Sequence, residues 1–176
     1  MADVEIRRLT LADDRSGFGC GDAAIDRFFQ YYAGQNQFRL HLAVTWVAVR
    51  EGEILGYVTV AGGSLEREQV PDTALRRRLP GYPLPVVRLA RLGVDLRAQG
   101  LGVGTALVRH VLLLALGQRE QVGCVGVVTD AKPGAVAFYE ALGFEALAEV
   151  REGLLHGEPL PMFLGMGPVE AALATA

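Results

Sequence analysis

The stretch Arg97-Ala98-Gln99-Gly100-Leu101-Gly102-Val103-Gly104-Thr105-Ala106-Leu107 constrains the fold of this 176-residue chain more than any other. It joins the end of a β-patterned segment, Val86 to Val94, to a strongly apolar segment that runs from Gly102 to about Gln118 and reads as a helix. Glycines at 100, 102 and 104 let the backbone turn tightly and approach a ligand with no Cβ in the way. The first turn of the helix beyond them leaves N–H groups without intrahelical acceptors, so the junction suits an anion such as phosphate. Spacing excludes two common nucleotide loops: Gly104 is followed by Thr105 where one requires Lys, and the gap Gly102-Val103-Gly104 is too narrow for the dinucleotide fingerprint.

The remaining pattern predicts an ordered α/β series. Val4 to Leu9 alternates as a first strand, and Asp22 to Gln35 is a helix with Ile25, Phe28, Phe29 and Tyr32 on one face. Leu42 to Arg50 and Ile54 to Ala61 are adjacent antiparallel strands joined by the short connection Glu51-Gly52-Glu53. Gly63 to Pro85 reads as a short helix flanked by loop, and Val86 to Val94 as the next strand. The helix from Gly102 is apolar nearly all round, which predicts burial against the sheet. A strand follows at Cys124 to Asp130, then a short helix with Pro133 near its start and Gly143 just past its end, then two runs at Glu145 to Arg151 and Pro161 to Met166. One domain over residues 1–168 is expected, with residues 169–176 a frayed tail.

Composition narrows the class. Half of the chain is hydrophobic (51%, mean hydropathy +0.26), enough for a sizeable core in one domain. Leu101 to Leu116 is interrupted by Arg109 and His110 and falls short of the roughly 18 residues of a membrane span, so a cytoplasmic protein without a membrane segment is expected. Cys20 and Cys124 are far apart, and His41, His110 and His156 have no ligand spacing, so no disulfide framework and no metal are expected.

Two motifs carry a resemblance. Gln99, Gly102 and Gly104 form Gln-x-x-Gly-x-Gly, and Ala135-x-x-Phe138-Tyr139-Glu140-x-Leu142-Gly143-Phe144 follows downstream. Both resemble the GCN5-related N-acetyltransferases, the first their diphosphate loop and the second their closing helix. The resemblance implies a single α/β domain with a central mixed, mostly antiparallel sheet, flanking helices and a splayed strand pair holding acetyl-coenzyme A. It also implies that Leu92, Gly93, Val94, Arg97, Gln99, Gly100, Leu101, Gly102, Val103, Gly104, Thr105, Lys132 and Phe138 contact the cofactor, a main-chain amide near Gly93 polarising the acetyl carbonyl. Tyr139 stands where the family often has the general acid for the thiolate. A phenol is neutral and a donor at physiological pH, and packing is its alternative role. Adjacent helical positions diverge by about 100°, so Glu140 is read as surface. Gly93 within a strand pattern marks a bulge or a close backbone approach. Lys132, the only lysine, pairs with a coenzyme phosphate or is simply solvated.

The acceptor is legible only by resemblance. Phe18-x-Cys20-Gly21, Ile25-Asp26-x-Phe28-Phe29, Trp46-Val47-Ala48 and Arg88-Leu89-Ala90-Arg91-Leu92-Gly93-Val94-Asp95 look like the acetyltransferase toxins of toxin–antitoxin modules. That implies the α-amine of aminoacyl-tRNA as acceptor and a ribbon-helix-helix antitoxin as partner, with room for a homodimer. Arg76, Arg77, Arg78 and Arg91 are the substrate-binding candidates. A net charge of -3 is not the expected balance for an RNA-binding protein, yet residues 67–97 hold seven arginines against Glu68, Asp72 and Asp95. A solvated helix face explains Arg76 to Arg78 equally well. Acetylation of a small-molecule or protein amine, or coenzyme A binding without turnover, stay open. Asp130, Glu53 and His41 are conceivable bases, and a neutral amine needs none.

Overall fold

The computed structural model describes residues 3–148 and 158–174. The strands are β1 (Glu5–Arg8), β2 (Val44–Arg50), β3 (Glu53–Leu65), β4 (Leu84–Val94), β5 (Gly126–Ala131), β6 (Glu145–Ala146) and β7 (Leu160–Gly165). They form one seven-stranded sheet in the order β1-β2-β3-β4-β5-β7-β6. The helices are α1 (Ala23–Arg27), α2 (Ala33–Phe38), α3 (Thr73–Arg78), α4 (Val103–Gln121), α5 (Val136–Ala141) and α6 (Met166–Ala174). A π turn, Phe28–Tyr32, joins α1 to α2. Contacts gather the chain into two compact units, residues 1–61 with 89–111 and residues 62–88 with 112–176.

In the first unit β1 and β3 flank β2, both antiparallel to it. Glu51 (φ 53°) and Gly52 (φ 80°) make the two-residue turn, both left-handed as a hairpin of this length requires. Thr45 and Thr59, directly opposite each other, bury their hydroxyls in a mutual hydrogen bond of 2.7 Å. The opening helix is capped by Asp22, whose carboxylate accepts from the amides of Ala24 and Ile25. The predicted apolar face then meets Tyr57 of β3, whose ring stacks on Phe29 at 4.3 Å and 10°. Phe18 stands edge-on to both rings, at 4.9 Å from Phe29 and 5.5 Å from Tyr57.

The predicted helix of uniform pitch is instead broken into α1, the π turn and α2. The amide of Ala33 reaches back to the carbonyl of Phe28, and the carbonyl of Phe29 accepts from Arg15 Nη1 at 2.8 Å. The side chain entering the ladder from another segment supplies the physical reason for the change of pitch. Gly34 leaves the space, because a Cβ there would stand 3.0 Å from Arg15 Nη2.

In the second unit, the amide of Val125 donates to the carbonyl of Pro85 and Arg88 of β4 pairs with Asp130 of β5, so the two strands advance together. β5 and β7 pair antiparallel along Gly126 to Ala131. The core here is Leu65, Val70, Leu84, Val86, Val128, Leu147 and Phe163. Two expectations are corrected. Residues 169–174 are not frayed: they continue α6, with Val169 fully buried and Glu170 paired to Arg119 of α4. α4 is not buried all round, since Leu113 is exposed. β3 also runs four residues beyond its predicted end at Ala61, and residues 149–151 of the run predicted at 145–151 lie outside the described residues.

Two measurements probe these local devices. Arg15→Ala leaves the Phe29 carbonyl without its charged donor and is expected to cost about 2 kcal/mol in chemical denaturation. Arg7 donates two hydrogen bonds to the Asp13 carboxylate, at 2.8 and 2.9 Å, and chiefly this bond lowers the Asp13 pKa to about 2. A depressed folded-state pKa stabilises above the unfolded value and is lost as pH falls through the folded one. The stability difference between the wild type and Asp13→Asn is therefore expected to shrink from about pH 5 to about pH 2. A difference constant over that range would contradict the assignment.

Candidate active site

The glycine junction lies in the first unit. Asp95 ends β4 and caps the short turn Leu96–Ala98, accepting from the amide of Arg97. Buried, it also accepts from the amide of Gly19 and from Arg97 Nε at 2.9 Å. Burial pushes its pKa up, and these hydrogen bonds outweigh that, holding it below the usual carboxylate range. Arg97 also reaches Glu53 at 3.3 Å. The Gln99 carboxamide donates to the carbonyls of Cys20 at 2.8 Å and Val94 at 3.0 Å. Gln99 and Arg97 thus spend their donors on shaping the turn.

What remains for a ligand is main chain. Gly100 and Gly102 have φ of 77° and 86°, a region other residues enter only with strain. The first helical hydrogen bond of α4 is from Ala106 to the Gly102 carbonyl, so the amides of Val103, Gly104 and Thr105 emerge without intrahelical partners. Gln99, Gly100, Leu101, Gly102 and Thr105 are exposed, and a Cβ on Gly100 would meet nothing within 4 Å. An open, left-handed, amide-rich loop at the N-terminus of a 19-residue helix fits a diphosphate.

Gly93 has a packing reason for its missing side chain. A Cβ there would stand 2.8 Å from Ile25 Cγ2 and 3.0 Å from Tyr57 Cε1. Gly56 does the same for α4: its Cβ would meet Val103 Cγ1 at 2.9 Å and the Gly93 carbonyl at 3.1 Å. The close approach expected at Gly93 is therefore made by the protein itself. Leu92 and Val94 flank it, half-buried.

Tyr139 lies in the second unit, on α5, with only 4% of its surface exposed. Its ring is edge-on to Phe138 at 5.1 Å and to Phe144 at 5.3 Å. Burial pushes the phenol up to about 12, against a smaller opposing effect of its hydrogen bond with the Thr129 side chain. It stays protonated through the physiological range. Thr129, on β5, was missed by sequence reasoning, since nothing local links a strand residue to a helix residue ten positions on. Glu140 is exposed, as expected, and so is Lys132.

These features meet their counterpart in known proteins. The sequence profile of the acetyltransferase (GNAT) domain matches residues 41–146. The chain belongs to the GNAT acetyltransferase family. A tRNA-acetylating toxin of Mycobacterium tuberculosis is 31% identical over 140 residues, spanning 79% of this chain and 82% of the relative. The structure of AtaT complexed with acetyl-methionyl-tRNAfMet superposes with a TM-score of 0.84 at 27% identity, over 96% of this chain and 98% of the other. That of AtaTR bound with acetyl-CoA gives 0.77 at 27% identity, over 97% and 98%.

As a GNAT protein, the chain takes acetyl-CoA as acyl donor, and the amides of Val103 to Thr105, left without intrahelical partners, are suited to its diphosphate. The arginine-rich segment is less free than its count implies. Arg76 gives Nε and Nη2 to the Val70 carbonyl, Arg67 pairs with Glu68, Arg88 with Asp130, and Arg97 with Asp95. Arg77, Arg78 and Arg91 are exposed, with no carboxylate partner among the described residues. Of the candidate bases, Glu53 and Asp130 are ion-paired. Among the described residues no group of three His, Cys, Asp or Glu side chains is placed to hold a metal, and no helix is long and apolar enough to cross a membrane.

Gly102→Val puts a branched side chain at a left-handed position in the loop. It is expected to raise the acetyl-CoA dissociation constant at least tenfold in calorimetry with the fold retained, and unchanged affinity would reduce the loop to a turn.

Proposed function

We propose that this protein acetylates the α-amine of aminoacyl-tRNA with acetyl-CoA, as the toxin of a module whose ribbon-helix-helix antitoxin holds it silent, and that it acts in the cytoplasm. The carrying observation is the similarity to the tRNA-acetylating toxin over 79% of the chain, supported by the likeness to AtaT in complex with acetyl-methionyl-tRNAfMet. Among the structural neighbours, AtaT has also been solved bound to the C-terminus of the antitoxin AtaR.

Bound acetyl-CoA supplies an acetyl group already activated as a thioester. The chain's residues contribute position and a proton. The Val103, Gly104 and Thr105 amides hold the diphosphate, helped by the helix macrodipole. Gln99 and Asp95 keep the loop in shape. Tyr139 Oη holds the proton given to the departing sulfur, its ring fixed between Phe138 and Phe144 and its hydroxyl oriented by Thr129. Phe138, on the same helix, and Lys132, just ahead of it, are read as contacts of the cofactor. The attacking amine, once neutral, needs no base from the protein.

A second reading, acetylation of a small-molecule or protein amine, is favoured by the net charge of -3 and by the arginines already engaged within the fold. One experiment separates the two. Labelled acetyl-CoA is incubated with aminoacylated tRNA and with the same pool deacylated. Label on the charged pool alone is expected. No transfer to it, with turnover on free amines, would establish the second reading. On the accepted substrate, Tyr139→Phe is expected to lower kcat by about 10²- to 10⁴-fold with acetyl-CoA affinity unchanged, and full turnover would remove Tyr139 from the acid role. On charged tRNA, Arg77→Ala with Arg78→Ala is expected to flatten the salt dependence by roughly one log unit per log unit of salt for each phosphate that is no longer neutralised.

A further inference from the structure

The π turn leaves on the surface a group of side chains that the core does not use. Tyr31 is 69% exposed and Tyr32 44% exposed, and neither has a ring or hydrogen-bond partner among the described residues. They follow Phe28 by three and four positions, one turn along the same helix. With Ala23, Asp26, Arg27 and Gln30 they line a shallow, open surface groove of about 740 Å³. The polar groups of that groove divide cleanly. Asp26 accepts from the amide of Cys20 and Gln30 donates to the carbonyl of Phe18, so both are turned to the fold. Arg27 is exposed, with no ion-pair partner among the described residues.

Arg91, on β4, lies against Phe28 at the start of the same turn. It alternates with Gly93 along β4 and so shares its face, the face on which Gly93 meets Ile25. Its guanidinium stands 4.9 Å from the Phe28 ring centroid, a cation–π contact that fixes its direction. One of its five donors is given to the carbonyl of Ala90, and the rest of this exposed guanidinium lacks a carboxylate. Two exposed phenol rings, a pre-set guanidinium and a second free arginine on one backbone, braced by the hydrogen bond from Arg15 to Phe29, make a stacking platform with phosphate donors. That is the chemistry that holds single-stranded RNA without reading its sequence.

We propose that the π turn Phe28–Tyr32 is the wall against which the single-stranded 3′ end of the acceptor RNA lies, with Tyr31 and Tyr32 stacking on its bases and Arg91 contacting a backbone phosphate. The proposal rests on aminoacyl-tRNA being the acceptor and adds where its terminus is gripped. The two kinds of contact have different signatures, because stacking is insensitive to salt and a phosphate contact releases counterions.

The test is steady-state acetylation of charged tRNA by the full-length protein over a salt series, with acetyl-CoA affinity measured in parallel. Tyr31→Ala with Tyr32→Ala is expected to raise KM for charged tRNA at least tenfold with the salt slope unchanged, and the corresponding double Phe variant to keep the wild-type KM. Arg91→Gln is expected to raise KM and to reduce the magnitude of the salt slope by about 0.7. None of these variants changes the acetyl-CoA dissociation constant. A wild-type KM in the double Ala variant, or a wild-type salt slope in Arg91→Gln, with the wild-type protein active on charged tRNA, overturns the proposal and leaves the acceptor assignment intact. A wild-type protein that acetylates free amines but no charged tRNA overturns the acceptor assignment and this proposal together.

Discussion

The stack of Tyr57 on Phe29 is the contact on which the arrangement of the first unit depends. Both rings are fully buried, and the Tyr57 hydroxyl donates to the Ile25 carbonyl at 2.7 Å, so one side chain fixes the helix to β3 through its ring face and its tip. Burial holds the phenol far above its usual pKa, and it stays a donor. An aromatic pair contributes about 0.5–1.5 kcal/mol beyond its buried area. Its larger effect is geometric. The helix lies so close to the sheet that residue 93 must lack a side chain, and α4 lies so close that residue 56 must lack one too. A change in the volume of any of these groups presses on the start of α4, into which the glycine loop leads.

The loop divides its labour between side chain and main chain. Asp95, Arg97 and Gln99 satisfy one another and the backbone around Gly19, Cys20 and Val94. A phosphate-binding site built on free lysines or arginines would bind any polyanion. One built on three amides at a helix end binds only what fits against them. The same economy governs the arginine-rich segment, where Arg67, Arg76, Arg88 and Arg97 are engaged within the fold and Arg77, Arg78 and Arg91 stay exposed. Net charge is therefore a poor guide to the surface that an acceptor meets.

The fold was legible where local chemistry decides it. Glu51-Gly52 forms the expected tight turn, Ile25, Phe28 and Phe29 pack into the core as their spacing predicts while Tyr32 of the same predicted face is left 44% exposed, and the glycines at 100 and 102 adopt a left-handed backbone that other residues enter only with strain. The misses were non-local. The residues after 168 looked small and unstructured, but Val169 finds a buried place and Glu170 a partner 51 residues away. Likewise the π turn follows from Arg15, thirteen residues before Phe28, and no periodicity within the helix records it.

The sequence by itself determined the element order, the left-handed glycine loop ahead of α4 and the place of the tyrosine on the closing helix, because each rests on residues within one turn or one short run, where sterics and hydrogen-bond capacity act directly. Tertiary structure alone decided which polar groups are spent and which are left. Gln99 and Arg76, both candidate ligand contacts, give their donors to backbone carbonyls. Tyr139 is kept protonated by burial beside Thr129, and Gly93 is a glycine because Ile25 and Tyr57 press on it. The physical reason is that hydrogen-bond satisfaction and desolvation depend on what is packed nearby, and the neighbours that matter at these positions are brought in from distant segments of the chain.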